Sequence, residues 1–204
     1  MKKNTIIIFA ALLSACMMSP GTAGAQVVQK GNILVDAYYG GPNLWKNILK
    51  TFFVESNSTN VQVGGFGPVG GRFEYMASDK IGVGLDVNYT TVGISWTGAD
   101  SSSSTVYNYD LASKRTRAMA RINIHFGGSD SFDGYFGVGA GYNSVKYVLT
   151  SNDPGVGGST PGLNPLAFRL ALGGHYYFTP NIGIGMELGA FGGAILEGGL
   201  AVKF

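Results

Sequence analysis

Between positions 182 and 189 the chain reads Ile-Gly-Ile-Gly-Met-Glu-Leu-Gly, a strict period of two. In an extended strand Ile182, Ile184, Met186 and Leu188 share one face, and Gly183, Gly185, Glu187 and Gly189 share the other. Eight segments carry this rhythm, at 33–39, 69–76, 81–96, 106–126, 135–148, 166–178, 182–191 and 194–204. None shows the i, i+3, i+4, i+7 recurrence that a helix would need. The chain is therefore read as all-β. In 166–178, Phe168, Leu170, Leu172 and Tyr176 oppose Arg169, Ala171, Gly173 and His175. Such two-faced strands make either a soluble sandwich, apolar side inward, or a bilayer barrel, apolar side outward. Periodicity alone does not separate the two.

The final segment helps to decide. Glu197-Gly-Gly-Leu-Ala-Val-Lys-Phe204 keeps the alternation up to a terminal aromatic. A strand there has an edge that needs a partner, and a closed barrel supplies one by pairing the last strand with the first. Its spacing also resembles the insertion signal of bacterial outer-membrane barrels. That resemblance implies that the barrel-assembly machinery reads Glu197, Gly199, Val202 and Phe204.

At the other end, Lys2 and Lys3 precede an apolar run from Ile6 to Met18, followed by Pro20 and the small-x-small triplet Ala23-Gly24-Ala25. This is the pattern of a secretory signal, with residues 1–25 removed and 26–204 left as one barrel domain. The apolar run is shorter than the ~20 residues a spanning helix needs. Leu13-Ser-Ala-Cys16 also resembles a lipobox, so lipidation at Cys16 stands as the alternative to its removal. With the cut after Ala25 no cysteine remains, which excludes disulfides, thiol chemistry and Cys-based metal sites. Lys2 and Lys3 leave too, so 12 cations face 12 carboxylates. A balanced chain lacks the basic excess of a nucleic-acid binder, and no nucleic-acid partner is expected. The 33 glycines beside 12 Phe, 11 Tyr and 2 Trp, with 13% charged residues, rule against disorder and suit a narrow barrel with bulk outside.

The connections alternate in length. Those at 77–80, 127–134 and 179–181 are tight, while 40–68, 97–105 and 151–164 are long and rich in Gly, Ser, Asn and Pro. Short periplasmic turns and longer outer loops are the barrel pattern, which Gly192-Gly193 breaks with a minimal outer hairpin. Tyr75, Phe126, Phe136, Tyr176 and Phe178 stand near the turns, where aromatics mark a lipid–water boundary. A weak repeat at an offset of 101 residues aligns Tyr75 to Gly84 with Tyr176 to Gly185, and reads as a shared hairpin solution. Eight strands, these turns and this ending resemble the small outer-membrane barrels related to OmpX and the OmpA transmembrane domain. The resemblance implies an eight-stranded antiparallel up-and-down transmembrane barrel in the bacterial outer membrane, surrounded by its lipids.

Several residues are candidates for function. Asp36, Arg72, Glu74, Asp86, Arg121, Arg169, His175, Glu187, Glu197 and Lys203 fall on the expected lumen face. They make either a packed ionic core or a gated pore, and the narrow interior of eight strands favours the packed core. In the first long loop, Leu44, Trp45, Ile48, Leu49, Phe52 and Phe53 recur at the spacing of a short amphipathic helix. It could cap the mouth, lie on the leaflet boundary or bind a partner. In 106–126 the apolar parity shifts from Tyr107, Tyr109 and Leu111 to Ala118, Ala120, Ile122 and Ile124. This predicts a bulge or a change of environment near 113–117, with the upper part protruding as a hairpin whose edges suit β-augmentation. His125 and His175 have no companion nucleophile at a useful spacing, so no catalytic residue, cofactor or metal is assigned. The expected role is structural or adhesive, with an extracellular protein or host surface as partner. A narrow channel for small solutes or hydrophobic molecules is the alternative.

Overall fold

The computed structural model describes residues 27–41, 61–99, 105–127 and 129–204. Nine strands follow one another: β1 (Ile33–Gly41), β2 (Gln62–Met76), β3 (Ile81–Ala99), β4 (Val106–Phe126), β5 (Phe132–Ser151), β6 (Gly158–Pro161), β7 (Leu166–Tyr177), β8 (Ile182–Ala190) and β9 (Leu196–Lys203). All neighbours are antiparallel. Eight strands form a closed ring, β9 pairing with β1 and β4 with β5, while β6 is a flap on the upper part of β5. The signal segment and the first-loop positions Leu44, Trp45, Ile48, Leu49, Phe52 and Phe53 lie outside the described residues.

Four strand boundaries shift by three residues or more from the sequence reading, and one short strand is added to it. β2 begins at Gln62 because a register irregularity between Phe66 and Val69 takes up Gly67 and Pro68. Proline has no N–H to give a ladder, and displaced from the register it does not end the strand. β5 runs from Phe132 to Ser151, longer at both ends than the alternation suggested, and β3 continues to Ala99. The stretch read as an open loop at 151–164 contains β6, which pairs with Lys146 to Leu149. The last outer connection spans 191–195, not a two-residue turn. It is widened around Arg169, whose Nη1 donates to the carbonyl of Ala194 at 3.3 Å, and Phe191 takes a positive φ of 63° there.

No bulge interrupts β4. Its pairing with β3 and β5 is continuous from Tyr109 to Ile124, so the parity shift is a change of environment on an unbroken strand. Below Thr116 the outward residues Ala118, Ala120, Ile122 and Ile124 are apolar, and the inward Arg117, Arg121, Asn123 and His125 are buried and polar. Above it Tyr107, Tyr109 and Leu111 point inward, while Asn108, Asp110 and Lys114 point outward. β3 reverses at the same level. Its outward face passes from Ile81, Val83, Leu85, Val87 and Tyr89 to Thr91, Gly93, Ser95 and Thr97, and its inward face from Asp86 and Asn88 to Val92, Ile94 and Trp96.

Two levels follow from this. A lower barrel wears large exposed hydrophobics on every strand, among them Val35, Phe73, Leu85, Ile122, Val138, Leu170, Met186 and Leu200. That is a surface for hydrocarbon, and with the ionic interior it is the build of a membrane-spanning barrel. Above the lower barrel rises a one-sided wall. β1, β7, β8 and β9 have 8–12 residues and stop near the membrane, whereas β2, β3, β4 and β5 have 15–21 and continue beyond it.

At the opposite rim the three tight turns share one device. Ser78 Oγ accepts from the amides of Lys80 and Ile81, Ser129 Oγ from Ser131 and Phe132, and Thr179 Oγ1 from Asn181 and Ile182. Ser78 and Thr179 are 101 positions apart, so the internal repeat corresponds to a repeated turn geometry. Beneath the lumen, Val28 is fully buried against Leu34, Met76, Tyr177 and Ala201, and closes this end with apolar packing.

Candidate functional site

The lumen face follows from strand parity: Asp36 and Tyr38 on β1, Arg72 and Glu74 on β2, Asp86 and Asn88 on β3, and Arg117, Arg121, Asn123 and His125 on β4. Asp133 and Tyr135 come from β5, Arg169 and His175 from β7, Glu187 from β8 and Glu197 from β9. All are buried. Glycines at facing positions leave the room these side chains need: a Cβ at Gly82 would run into the Glu74 carboxylate, and one at Gly189 into the Arg169 guanidinium.

Glu187 is the centre of the network. It accepts from Arg72 Nη2 at 2.8 Å, Arg121 Nη2 at 2.9 Å, Arg169 Nε at 2.6 Å and the Tyr135 hydroxyl at 2.7 Å. Arg72 also reaches Asp36 at 3.2 Å and Asp86 at 3.5 Å, and donates to the Tyr135 hydroxyl at 2.6 Å. Arg121 reaches Asp86 at 3.1 Å, and Arg169 reaches Glu197 at 2.9 Å. Charges this deep persist only when paired on several sides. The cavity left among Asp36, Tyr38, Arg72, Tyr135, Glu187 and Glu197 measures about 10 Å³, roughly the space of a single water at most.

Below this hub the two histidines and three carboxylates alternate across the barrel. His125 lies 2.9 Å from Glu74 through Nε2 and 2.9 Å from Asp133 through Nδ1. His175 lies 3.4 Å from Asp133 through Nδ1 and 3.2 Å from Asp36 through Nε2. Both ring nitrogens of each histidine are thus engaged by carboxylates, which leaves neither positioned to activate a hydroxyl nucleophile. Among the described residues no group of three His, Cys, Asp or Glu side chains is arranged to hold a metal ion.

Of the residues expected in the lumen, Asp36, Arg72, Glu74, Asp86, Arg121, Arg169, His175, Glu187 and Glu197 stand in this one network. Lys203 does not join it: its ammonium donates to the carbonyl of Val27 at 2.5 Å and lies over the Tyr177 ring at the lower rim. Asp133, Arg117, Asn123 and Tyr135 were missed, and His125, expected beside a turn, is a full member. Continuing the parity of Arg121 along β4 gives Arg117, Asn123 and His125, and starting β5 at Phe132 gives Asp133. The C-terminal residues divide between two faces. Glu197 and Gly199 point inward, Gly199 pairing with Tyr38, whereas Val202 pairs with Val35 and Ile182. Phe204 is exposed at the rim, and exchanges backbone hydrogen bonds of 2.9 and 3.0 Å with Ile33.

The upper wall holds a second group of residues. Val92, Ile94 and Val145 are buried on its inner side, and Trp96 stacks on Tyr109 with ring centroids 5.4 Å apart. The β2 edge from Gln62 to Phe66 pairs with β3 on one side, and β1 reaches β2 no higher than Val69.

No family model matches the chain. No curated protein matches it either. Solved structures that resemble it include the N-terminal β-barrel domain of Pseudomonas aeruginosa OprF, at 13% identity over 86% of this chain and 99% of that one, with a TM-score of 0.44. Ail, the attachment invasion locus protein of Yersinia pestis, gives 13% identity, the same coverages and a TM-score of 0.45. OprG from Pseudomonas aeruginosa gives 13% identity over 88% of this chain and 98% of that one, with a TM-score of 0.44.

Proposed function

We propose that this chain is an outer-membrane protein with a structural and surface-interaction role and no catalysis, delivered after cleavage at Ala25 and inserted by machinery that reads Glu197, Gly199, Val202 and Phe204. The observation that carries the reading is the one-sided wall. It lifts a polar face and the strand edge at Gln62–Phe66 clear of the membrane, and among the described residues β3 is the only strand paired with that stretch, which leaves its other side open. An open edge offers backbone donors and acceptors to an extended segment of another protein, the adhesive mode in which an extracellular protein or host surface is the partner. The ionic network is the structural counterpart: Asp36, Arg72, Glu74, Asp86, Arg121, Arg169, His175 and Glu187 hold the lumen shut. The small cavity in that network weighs against the narrow channel.

Planar-bilayer recording of the purified barrel is the first test. Silence is expected, and steady openings abolished by Arg121→Ala or Glu74→Ala would establish the channel instead. Adhesion is the second. Of Gly64 and Gly65, one amide faces β3 and the next faces away, so proline placed at each in turn separates ladder from free edge. Cells displaying the chain are expected to adhere to an epithelial layer, and to lose adhesion with the outward-amide variant while the barrel keeps its heat-modifiable gel shift. Equal adhesion by that variant would remove the edge from the mechanism.

A further inference from the structure

The outward faces of the nine strands carry only three charges among the described residues: Asp110, Lys114 and Lys146. Two of them are directly opposed. Lys114 on β4 pairs in register with Lys146 on β5, which sets their Cβ atoms about 4.5–5.5 Å apart. Like charges opposed across a ladder destabilise it, and no carboxylate offsets them. Their cross-strand neighbours are Thr91 and Pro161, and Asp110 lies four residues further up β4. Neither lysine has an ion-pair partner among the described residues.

The height of this pair matters as much as its charge. Reading upward across β3, β4 and β5, the outward rows are Val87, Ala118 and Tyr142, then Tyr89, Thr116 and Ser144, then Thr91, Lys114 and Lys146. Apolar surface ends in two tyrosines, hydroxyls follow, and the ammonium pair comes next. This is the order in which a bilayer passes from acyl chain through its boundary to the charged headgroup. We propose that Lys114 and Lys146 clamp a phosphate of an outer-leaflet lipid headgroup, the lipid's chains lying against Tyr89, Tyr142 and the apolar wall beneath. This site is distinct from the protein-binding edge at Gln62–Phe66, and fixes the depth of the tall wall in its leaflet.

The test uses the folded full-length barrel in non-ionic detergent, and measures retained lipid against concentration. The probes are a diphosphorylated glucosamine-based glycolipid, the same lipid stripped of its phosphates, and inorganic phosphate. Each lysine near a charged lipid surface contributes enough that losing both corresponds to roughly thirty-fold in affinity. The wild type is expected to prefer the phosphorylated lipid by about that factor, K114Q/K146Q to lose the preference, and K114R/K146R to keep it. Both lysines are exposed, and retention of the heat-modifiable shift identifies folded variants. An undiminished preference in K114Q/K146Q would overturn the site. Displacement of the lipid by equimolar inorganic phosphate would overturn the headgroup as its source.

Discussion

β4 is one unbroken strand in two solvents. Below Thr116 its outward residues are Ala118, Ala120, Ile122 and Ile124 and its inward ones, Met119 apart, are charged or polar; above, Tyr107, Tyr109 and Leu111 share the inward face and Asn108, Asp110 and Lys114 the outward one. The backbone geometry and pairing do not change. What changes is which side excludes water. In the lower barrel the exterior is hydrocarbon, so polar atoms retreat to a lumen where each must find a partner. In the wall the exterior is aqueous, and the inner side becomes the apolar one.

The largest test of this comparison removes the hub of the lower barrel. Glu187→Ala takes a shared acceptor from Arg72, Arg121, Arg169 and Tyr135 together, leaving buried cations short of charge. The expected loss is about 3–5 kcal/mol, read as a fall in the urea midpoint for unfolding from vesicles. A loss below about 1 kcal/mol would mean that the network does not hold the lower barrel together. Among the described residues none of the upper wall bridges several buried charges in this way, so truncations there should leave the lower barrel's midpoint in place.

A lysine moved along β4 tests the reversal itself. Ile122→Lys puts a charge in the hydrocarbon band, at an expected cost of about 2–4 kcal/mol. Ala112→Lys sits on the same outward parity above the boundary, where surface substitutions stay within about 0.5 kcal/mol. Equal costs for the two variants would erase the distinction between levels. Smaller still is the coupling of Trp96 with Tyr109, whose stacking is worth about 0.5–1.5 kcal/mol beyond area in a double-mutant cycle. Stability should fall in the wall, by limited proteolysis, before it falls in the lower barrel.

The two levels were unequally legible in the sequence. Lumen residues such as Asp36, Arg72 and Glu187 stand out because a charge within an apolar alternation can only face a cavity. Asp133 did not, since a tight turn and a strand start look alike when Gly134 follows immediately. β2 above Val69 was hidden by Gly64, Gly65, Gly67 and Pro68, which read as loop chemistry; the strand survives because the register irregularity absorbs Pro68. The parity shift on β4 was visible, but one residue string cannot distinguish an inserted residue from an exchanged solvent. Val28 carries no periodicity at all, and its burial depends on Leu34, Met76 and Tyr177 meeting in space.

The two rims extend the comparison to the smallest effect. At the lower rim, Ser78, Ser129 and Thr179 each tie the next strand's first amide to their own hydroxyl, at 3.1, 2.8 and 2.9 Å. The fourth residue of each turn is thus fixed before the ladder begins, which sets the register of β3, β5 and β8 from their first residue. At the outer rim the β8–β9 connection is held instead by Arg169 bonding its carbonyls, so register there depends on the lumen network. Alanine at Ser78 or Thr179 removes one side-chain acceptor, and should cost about 0.5–1.5 kcal/mol in the urea midpoint, with unchanged detergent-folded yield. The sharper outcome is non-additivity. Thr179→Ala should add independently to Glu187→Ala if the lower turn sets register by itself, whereas coupling beyond about 0.5 kcal/mol would show that both ends of β8 answer to the same ionic core.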